Sequence, residues 1–141
     1  MSAYHEYKTE YRDGACLIEA LGEMGYNTVE VHDIPQQLID FQGRPTHYVD
    51  KTGDKAHIIV RRRYVGGAAN DLGFVKKADG SFSAIISAFD SGKHNAGWLN
   101  NLKKNYTEKV AIKTAAKNGF KFLGKKVVGN KVQLQWIDTR S

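Results

Sequence analysis

The chain has 141 residues, one cysteine and a formal net charge of +6. That length suits one domain around one core, and the lone Cys16 excludes an intramolecular disulfide framework and fits a reducing compartment. No apolar run approaches the roughly 18 residues that cross a membrane, and aromatics at 11% exclude a disordered chain. The opening Met1–Tyr11 has no apolar stretch of the signal-peptide kind, so a cytoplasmic protein is expected.

His5, Tyr7, Thr9 and Tyr11 alternate with Glu6, Lys8 and Glu10, the period of a half-buried strand. Asp13 follows as a helix N-cap. Leu17, Ile18, Leu21 and Met24 then form one helical stripe, and Gly25 stands where a left-handed cap ends such a helix. A short strand is expected over Thr28–Val31. Asp33–Asp54, punctuated by Pro35, Gly43, Pro45 and Gly53, reads as an excursion with one helical turn. Leu38, Ile39 and Phe41 are its buried residues, and Thr52-Gly53-Asp54 is its closing turn.

Ala56–Tyr64 predicts a strand covered on both faces, with Ile58, Ile59 and Val60 at its centre. Leu72–Val75 and Phe82–Ala88 flank Ala78-Asp79-Gly80, an Asp-Gly hairpin signal. From Ala96 to Asn118 the apolar stripe slips. Trp98, Leu99, Leu102 and Tyr106 share one face, whereas Ala111, Ile112, Ala115 and Ala116 share another, rotated by more than about 90°. Two helices meeting near Asn105–Thr107, with Thr107 as N-cap, are preferred over one helix buried by two partners. Gly119 ends this stretch, and Lys121–Val128, the turn Gly129-Asn130 and Lys131–Ile137 form a last hairpin. The expected architecture is one α+β domain over residues 1–141. It has a single mostly antiparallel sheet, helices on one face, and the order β-α-β-β-β-α(α)-β-β.

His5, His32, His47, His57 and His94 are scattered, no two at ligand spacing, so neither metal nor cofactor is expected. Cys16 reads as a small buried residue rather than a nucleophile. Ser91-Gly92-Lys93 lacks the upstream glycine of a phosphate loop. The segment Arg61-Arg62-Arg63-Tyr64-Val65-Gly66-Gly67-Ala68-Ala69-Asn70-Asp71 holds the densest chemistry. Guanidinium groups grip phosphate or carboxylate bidentately, and glycines let backbone amides approach an anion. On a strand, Arg61 and Arg63 share a face and make a clamp, with Arg62 on the other side. Asn70, Asp71 and Asp90 are candidates to orient a hydroxyl or amide. The structural alternative has the arginines pairing with carboxylates and Asn70-Asp71 capping a turn. Lys109, Lys113 and Lys117, spaced by four, line a helix face able to meet a polyanion. Trp98 with Lys103 and Lys104, and Trp136 with Arg140, interleave aromatic and basic groups; Trp98 is taken as core.

These motifs carry a resemblance. S-A-Y-H-E-Y-K-T-E-Y-R-D and L-I-E-A-L-G-E-M-G-Y are similar to the start of the hypothetical chloroplast and cyanobacterial reading frame thirty-five family, a domain of unknown function. A-H-I-I-V-R-R-R-Y-V-G-G-A-A-N-D-L-G-F, D-G-S-F-S-A-I-I-S-A-F-D and W-L-N-N-L-K-K-N-Y resemble its bacterial and phage branch. The resemblance implies a small accessory protein and brings no cofactor or reaction. It marks Arg61, Arg62, Arg63, Gly66, Gly67, Asn70, Asp71 and Asp90 as matching the family pattern.

Three functional readings follow, in order of preference. The first is a non-catalytic module for an anionic small molecule, a nucleotide or nucleic acid, held by Arg61, Arg63 and the following loop. The second is a protein-interaction or assembly factor whose partner meets a sheet edge or the lysine face. The third is an enzyme with Asp71 or Asp90 as general base, the weakest because no nucleophile, metal set or acid–base pair accompanies them.

Overall fold

The computed structural model describes residues 4–49, 51–129 and 131–139. Asn130, expected in the last turn, and Arg140, expected beside Trp136, lie outside them. The fold is α+β, with a five-stranded antiparallel sheet ordered β1-β5-β4-β3-β2 and a separate two-stranded sheet, β6-β7. The strands are β1 (Tyr4–Lys8), β2 (Glu30–Gln37), β3 (Lys55–Val60), β4 (Leu72–Lys76), β5 (Phe82–Ser87), β6 (Phe120–Val128) and β7 (Lys131–Asp138). The helices are α1 (Gly14–Glu23), α2 (Arg62–Val65) and α3 (Ala96–Lys117), with a 3-10 turn at Ala88–Asp90. The expectation of a single sheet is thus corrected, because the terminal hairpin pairs only with itself.

Local signals explain most boundaries. Asp13 caps α1 by accepting a hydrogen bond from the Cys16 amide at 3.1 Å. At its far end Tyr26 N donates to Leu21 O and Gly25 N to Gly22 O, with Gly25 at φ +99°. This pattern needs the left-handed backbone that glycine adopts without strain. The Asp-Gly hairpin forms as expected: β4 pairs with β5 and Gly80 has φ +88°.

α1 and α3 cover one face of the large sheet. Leu17, Leu21, Leu102 and Tyr106 meet Ile58, Val60, Leu72, Phe74, Phe82, Ala84 and Ile86 there, all buried. Each leucine so buried contributes about 1.5–3 kcal/mol. Tyr106 also accepts hydrogen bonds from the Arg12 and Asp13 amides at 2.8 and 2.9 Å, tying α3 to the start of α1. On the opposite face Tyr4, Leu38, Ala56, Ile59 and Ile85 form a smaller cluster. Leu38 is fully buried and sits so close that a Cβ on Gly73 would come within 3.0 Å of its Cδ2 and 2.7 Å of the Ala56 Cβ.

Four local expectations are corrected. The strand expected over Thr28–Val31 begins at Glu30 and runs through Pro35 to Gln37. It is an edge strand with a register shift between Val31 and Gln36, where a proline removes no ladder bond. Among its described residues the excursion holds no helical turn. Asp40 Oδ1 accepts from the Gln42 and Arg44 amides, an isolated bridge joins Ile39 to Pro45, and Phe41 is 46% exposed instead of buried. The strand expected over Ala56–Tyr64 stops at Val60 and turns into α2. Finally, α3 is one unbroken helix of 22 residues, and Thr107 caps nothing. Its stripe rotates because Leu102 and Tyr106 enter the core while the later turns face α1 and β6.

Candidate functional site

The turn from β3 into α2 brings the arginine segment against β2 and the start of β4. Arg61 Nε and Nη2 donate to Glu30 Oε2 and Oε1 at 2.7 and 2.9 Å, a bidentate pair. Its Nη1 reaches Asp71 Oδ2 at 2.8 Å and the Gln37 carbonyl at 3.1 Å. The side chain of Asp71 is 1% exposed and holds backbone on both sides, accepting from Ile39 N at Oδ2 and Arg62 N at Oδ1, each at 2.8 Å. Tyr4 donates its hydroxyl to the Asp71 carbonyl at 2.7 Å. Hydrogen bonding from Arg61 pulls the Glu30 carboxyl down to about 2, and Glu30 in turn raises Arg61. This knot locks three stretches of chain together, with both Asp71 oxygens engaged, Oδ2 by two donors and Oδ1 by one.

The clamp geometry expected of Arg61 and Arg63 is corrected, since Arg61 is the N-cap of α2 and Arg63 lies within that helix, so they do not share a strand face. Arg63 is exposed, with its guanidinium 4.7 Å from the centroid of the Tyr64 ring. Gly66 and Gly67 are exposed, and a Cβ at Gly67 would touch nothing within 4 Å. Asn70 and Asp90 do come together, the Asn70 amide donating to Asp90 Oδ2 at 3.1 Å. Burial raises the Asp90 carboxyl. Lys109 and Lys113 are engaged by Glu23 and Asp13 across the α3–α1 contact, while Lys117 is exposed. Lys93 donates to the Val65 carbonyl at 2.9 Å. Cys16 is buried, which raises its thiol.

Beside the knot lies a cleft of about 730 Å³ that the sequence reading missed. One wall is the excursion, with Phe41, Arg44, Thr46, His47 and Tyr48. The other is Ala68 and Asn70, from the expected loop, together with Phe89 of the 3-10 turn. Phe41, Tyr48 and Phe89 are 46%, 41% and 62% exposed, so the rim is aromatic. At the floor Asn70 is fully buried; it holds Phe41 N at 2.8 Å through Oδ1 and Ser87 Oγ at 2.9 Å through Nδ2. Thr46 is 2% exposed, and its Oγ1 has no hydrogen-bond partner among the described residues. Arg44 forms no ion pair among the described residues, whereas Arg62 leans on the rim by donating to the Phe41 carbonyl at 3.1 Å. The aromatic rim and Arg44 can therefore take a planar ring and an anionic group, over a Thr46 hydroxyl that is itself closed to solvent.

Among the described residues no cluster of His, Cys, Asp and Glu fits a metal ion, and no helix is long and apolar enough to cross a membrane. The family described as "Protein of unknown function (DUF1257)" matches residues 20–132, a span that includes both the knot and the cleft. No curated protein and no solved structure matches the chain.

Proposed function

The chain belongs to the DUF1257 family of proteins of unknown function, and from that premise we propose that it is a non-catalytic module that binds an anionic aromatic small molecule of the nucleotide class. The observation that carries the reading is the Thr46 hydroxyl, buried without a partner among the described residues beneath an aromatic rim. An unsatisfied buried hydroxyl costs about 1–3 kcal/mol, a cost that a ligand atom relieves. Phe41, Tyr48 and Phe89 supply stacking surface, and Arg44 a free guanidinium for phosphate. Loop residues Ala68 and Asn70 remain in the site. Arg61 and Asp71 support it from behind by holding Ile39 and Arg62 in position.

The same proposal includes the finer likeness to the bacterial and phage branch of reading frame thirty-five, and with it the role of a cytoplasmic accessory protein. The alternative, a protein-interaction factor, draws on edge strand β2, where Val31 and Ile34 are 59% and 75% exposed.

Calorimetric titration with adenosine and guanosine monophosphates and with the corresponding nucleosides tests the reading. Phe89→Ala should weaken nucleotide binding about 5- to 150-fold, the equivalent of one lost stacking contact. Arg44→Gln should abolish the preference for nucleotide over nucleoside. A parent protein that takes up none of these ligands at millimolar concentration removes the nucleotide reading and leaves the β2 edge as the surface to pursue.

A further inference from the structure

The β6–β7 ribbon follows the C-terminal end of α3 and folds back along it, Lys125 reaching Glu108 in the middle of the helix. None of the described ribbon residues lines the cleft. Side chains alternate across the ribbon, and the register assigns them to two faces. On one face Phe122 and Trp136 pair edge-on at 5.3 Å between centroids, Leu134 is half-buried beside them, and Lys125 bonds Glu108 of α3 at 3.0 Å. The half-buried residues of that face and the Lys125 ion pair hold it on the helix, while Val127 and Val132 of the same face are 73% and 58% exposed. That hold explains how a two-stranded ribbon, marginal alone, is kept in place.

The other face carries Lys121, Lys126, Lys131, Gln133 and Gln135, all exposed. Lys126 stands directly opposite Gln133, and Lys131 opposite Val128. None of the three lysines makes an ion pair among the described residues, in contrast to Lys109 and Lys113. Leu123, Val128 and Ile137 lie among them, 60%, 47% and 50% exposed.

We propose that this outer face docks in the major groove of double-stranded DNA. A two-stranded ribbon has the width that the B-form major groove admits. The free ammonium groups meet phosphates, the glutamine amides match the adenine edge, and the exposed aliphatic groups match thymine methyls. An acidic protein surface would satisfy the lysines but leave the amide pair without a purpose. A-form RNA presents a major groove too narrow for the ribbon.

Fluorescence anisotropy with a 20-base-pair DNA duplex, titrated over a salt series, tests the proposal. Contacts from three lysines to phosphate give a slope of log K against log salt near about −2.7. The variant carrying Lys121→Gln, Lys126→Gln and Lys131→Gln should bind about 500-fold more weakly at 0.1 M salt, with a nearly flat slope. Its thermal melt should match the parent, because all three side chains are exposed. Lys103→Gln with Lys104→Gln, elsewhere on the surface, should change nothing, as should Phe89→Ala in the cleft. Equal loss from the Lys103 and Lys104 pair would reduce the effect to overall charge and overturn the proposal. So would equal binding of an RNA duplex of the same sequence, which the groove geometry forbids. Displacement of the duplex by polyglutamate at matched charge would assign the face to an acidic polypeptide instead.

Discussion

The Arg61–Asp71 knot and the Thr46 cleft are neighbours that share the loop between β3 and β4, yet they spend their polar groups in opposite ways. In the knot every named donor meets an acceptor: Arg61 is shared by Glu30, Asp71 and Gln37, and Asp71 accepts from Ile39, Arg62 and Arg61. In the cleft the Thr46 hydroxyl is buried and has no hydrogen-bond partner among the described residues, and the aromatic rim above it is open. A cluster of charges in sequence therefore marks where the fold consumes polarity. Binding capacity lies where polarity is left over, a few residues away.

The comparison breaks most visibly at Arg61. Arg61→Ala leaves the buried Asp71 carboxylate without its counter-ion, a loss of about 3–5 kcal/mol when a buried pair is broken. Urea denaturation should show that loss directly. Arg63→Ala, which removes an exposed guanidinium resting on Tyr64, should stay within about 0.5 kcal/mol of the parent. Equal destabilisation by both would mean the knot is not centred on Arg61. Equal tolerance of both would return Arg61 to the pool of groups free to hold a ligand.

His94 sharpens the contrast, because its Nδ1 is the other buried side-chain atom without a partner among the described residues. Its Nε2 lies 2.8 Å from the Tyr26 hydroxyl, and its ring meets Trp98 edge-on at 4.6 Å between centroids. Burial, helped by the Lys93 charge, lowers its pKa to about 4 from 6.5. The unfolded chain then binds a proton that the folded chain refuses between those two values, so stability falls as pH drops from about 6.5 to 4. At 1.36 kcal/mol per unit the loss approaches about 3 kcal/mol. Glu30 acts in the adjoining window: its contribution is complete above 4.5 and is lost toward 2. A His94→Phe protein should show a flatter profile of unfolding free energy between pH 4 and 6.5. A profile as steep as the parent's there would assign the dependence to another group.

How much of this was legible in sequence follows from range. The α1 caps at Asp13 and Gly25, the Asp79-Gly80 hairpin and the terminal hairpin rest on neighbours a few residues apart, and all of them formed as read. What depended on distant partners was not. α3 looks broken on a helical projection because its two halves are buried by different elements. β3 looks longer than it is because nothing local reports that Asp71 will accept the Arg62 amide and start a helical turn. Only Ala68 and Asn70 of the cleft's lining belong to the loop that the sequence marks. The rest was dispersed over Phe41, Thr46, Tyr48 and Phe89. The available signal was aromatic residues inside a stretch rich in glycine, proline and turn formers, which reads as surface. Phe41 reads as core in the sequence but is 46% exposed in the structure.

The smallest effect discriminates best. Thr46→Val replaces a buried hydroxyl that has no partner with a methyl of nearly the same shape, so the fold loses no hydrogen bond and sheds a desolvation cost. The variant should be as stable as the parent or more stable by about 1 kcal/mol. The same change should weaken the nucleotide, because the atom that was waiting for a partner is gone; one neutral hydrogen bond at about 0.5–1.5 kcal/mol is roughly a 2- to 13-fold loss. Opposite signs for stability and affinity are the signature of a group kept for binding at a cost to the fold. If Thr46→Val lowers both, the hydroxyl serves the fold through a bound water, and the cleft loses the observation on which its assignment stands. Paired melting and calorimetry on this one protein read both signs at once.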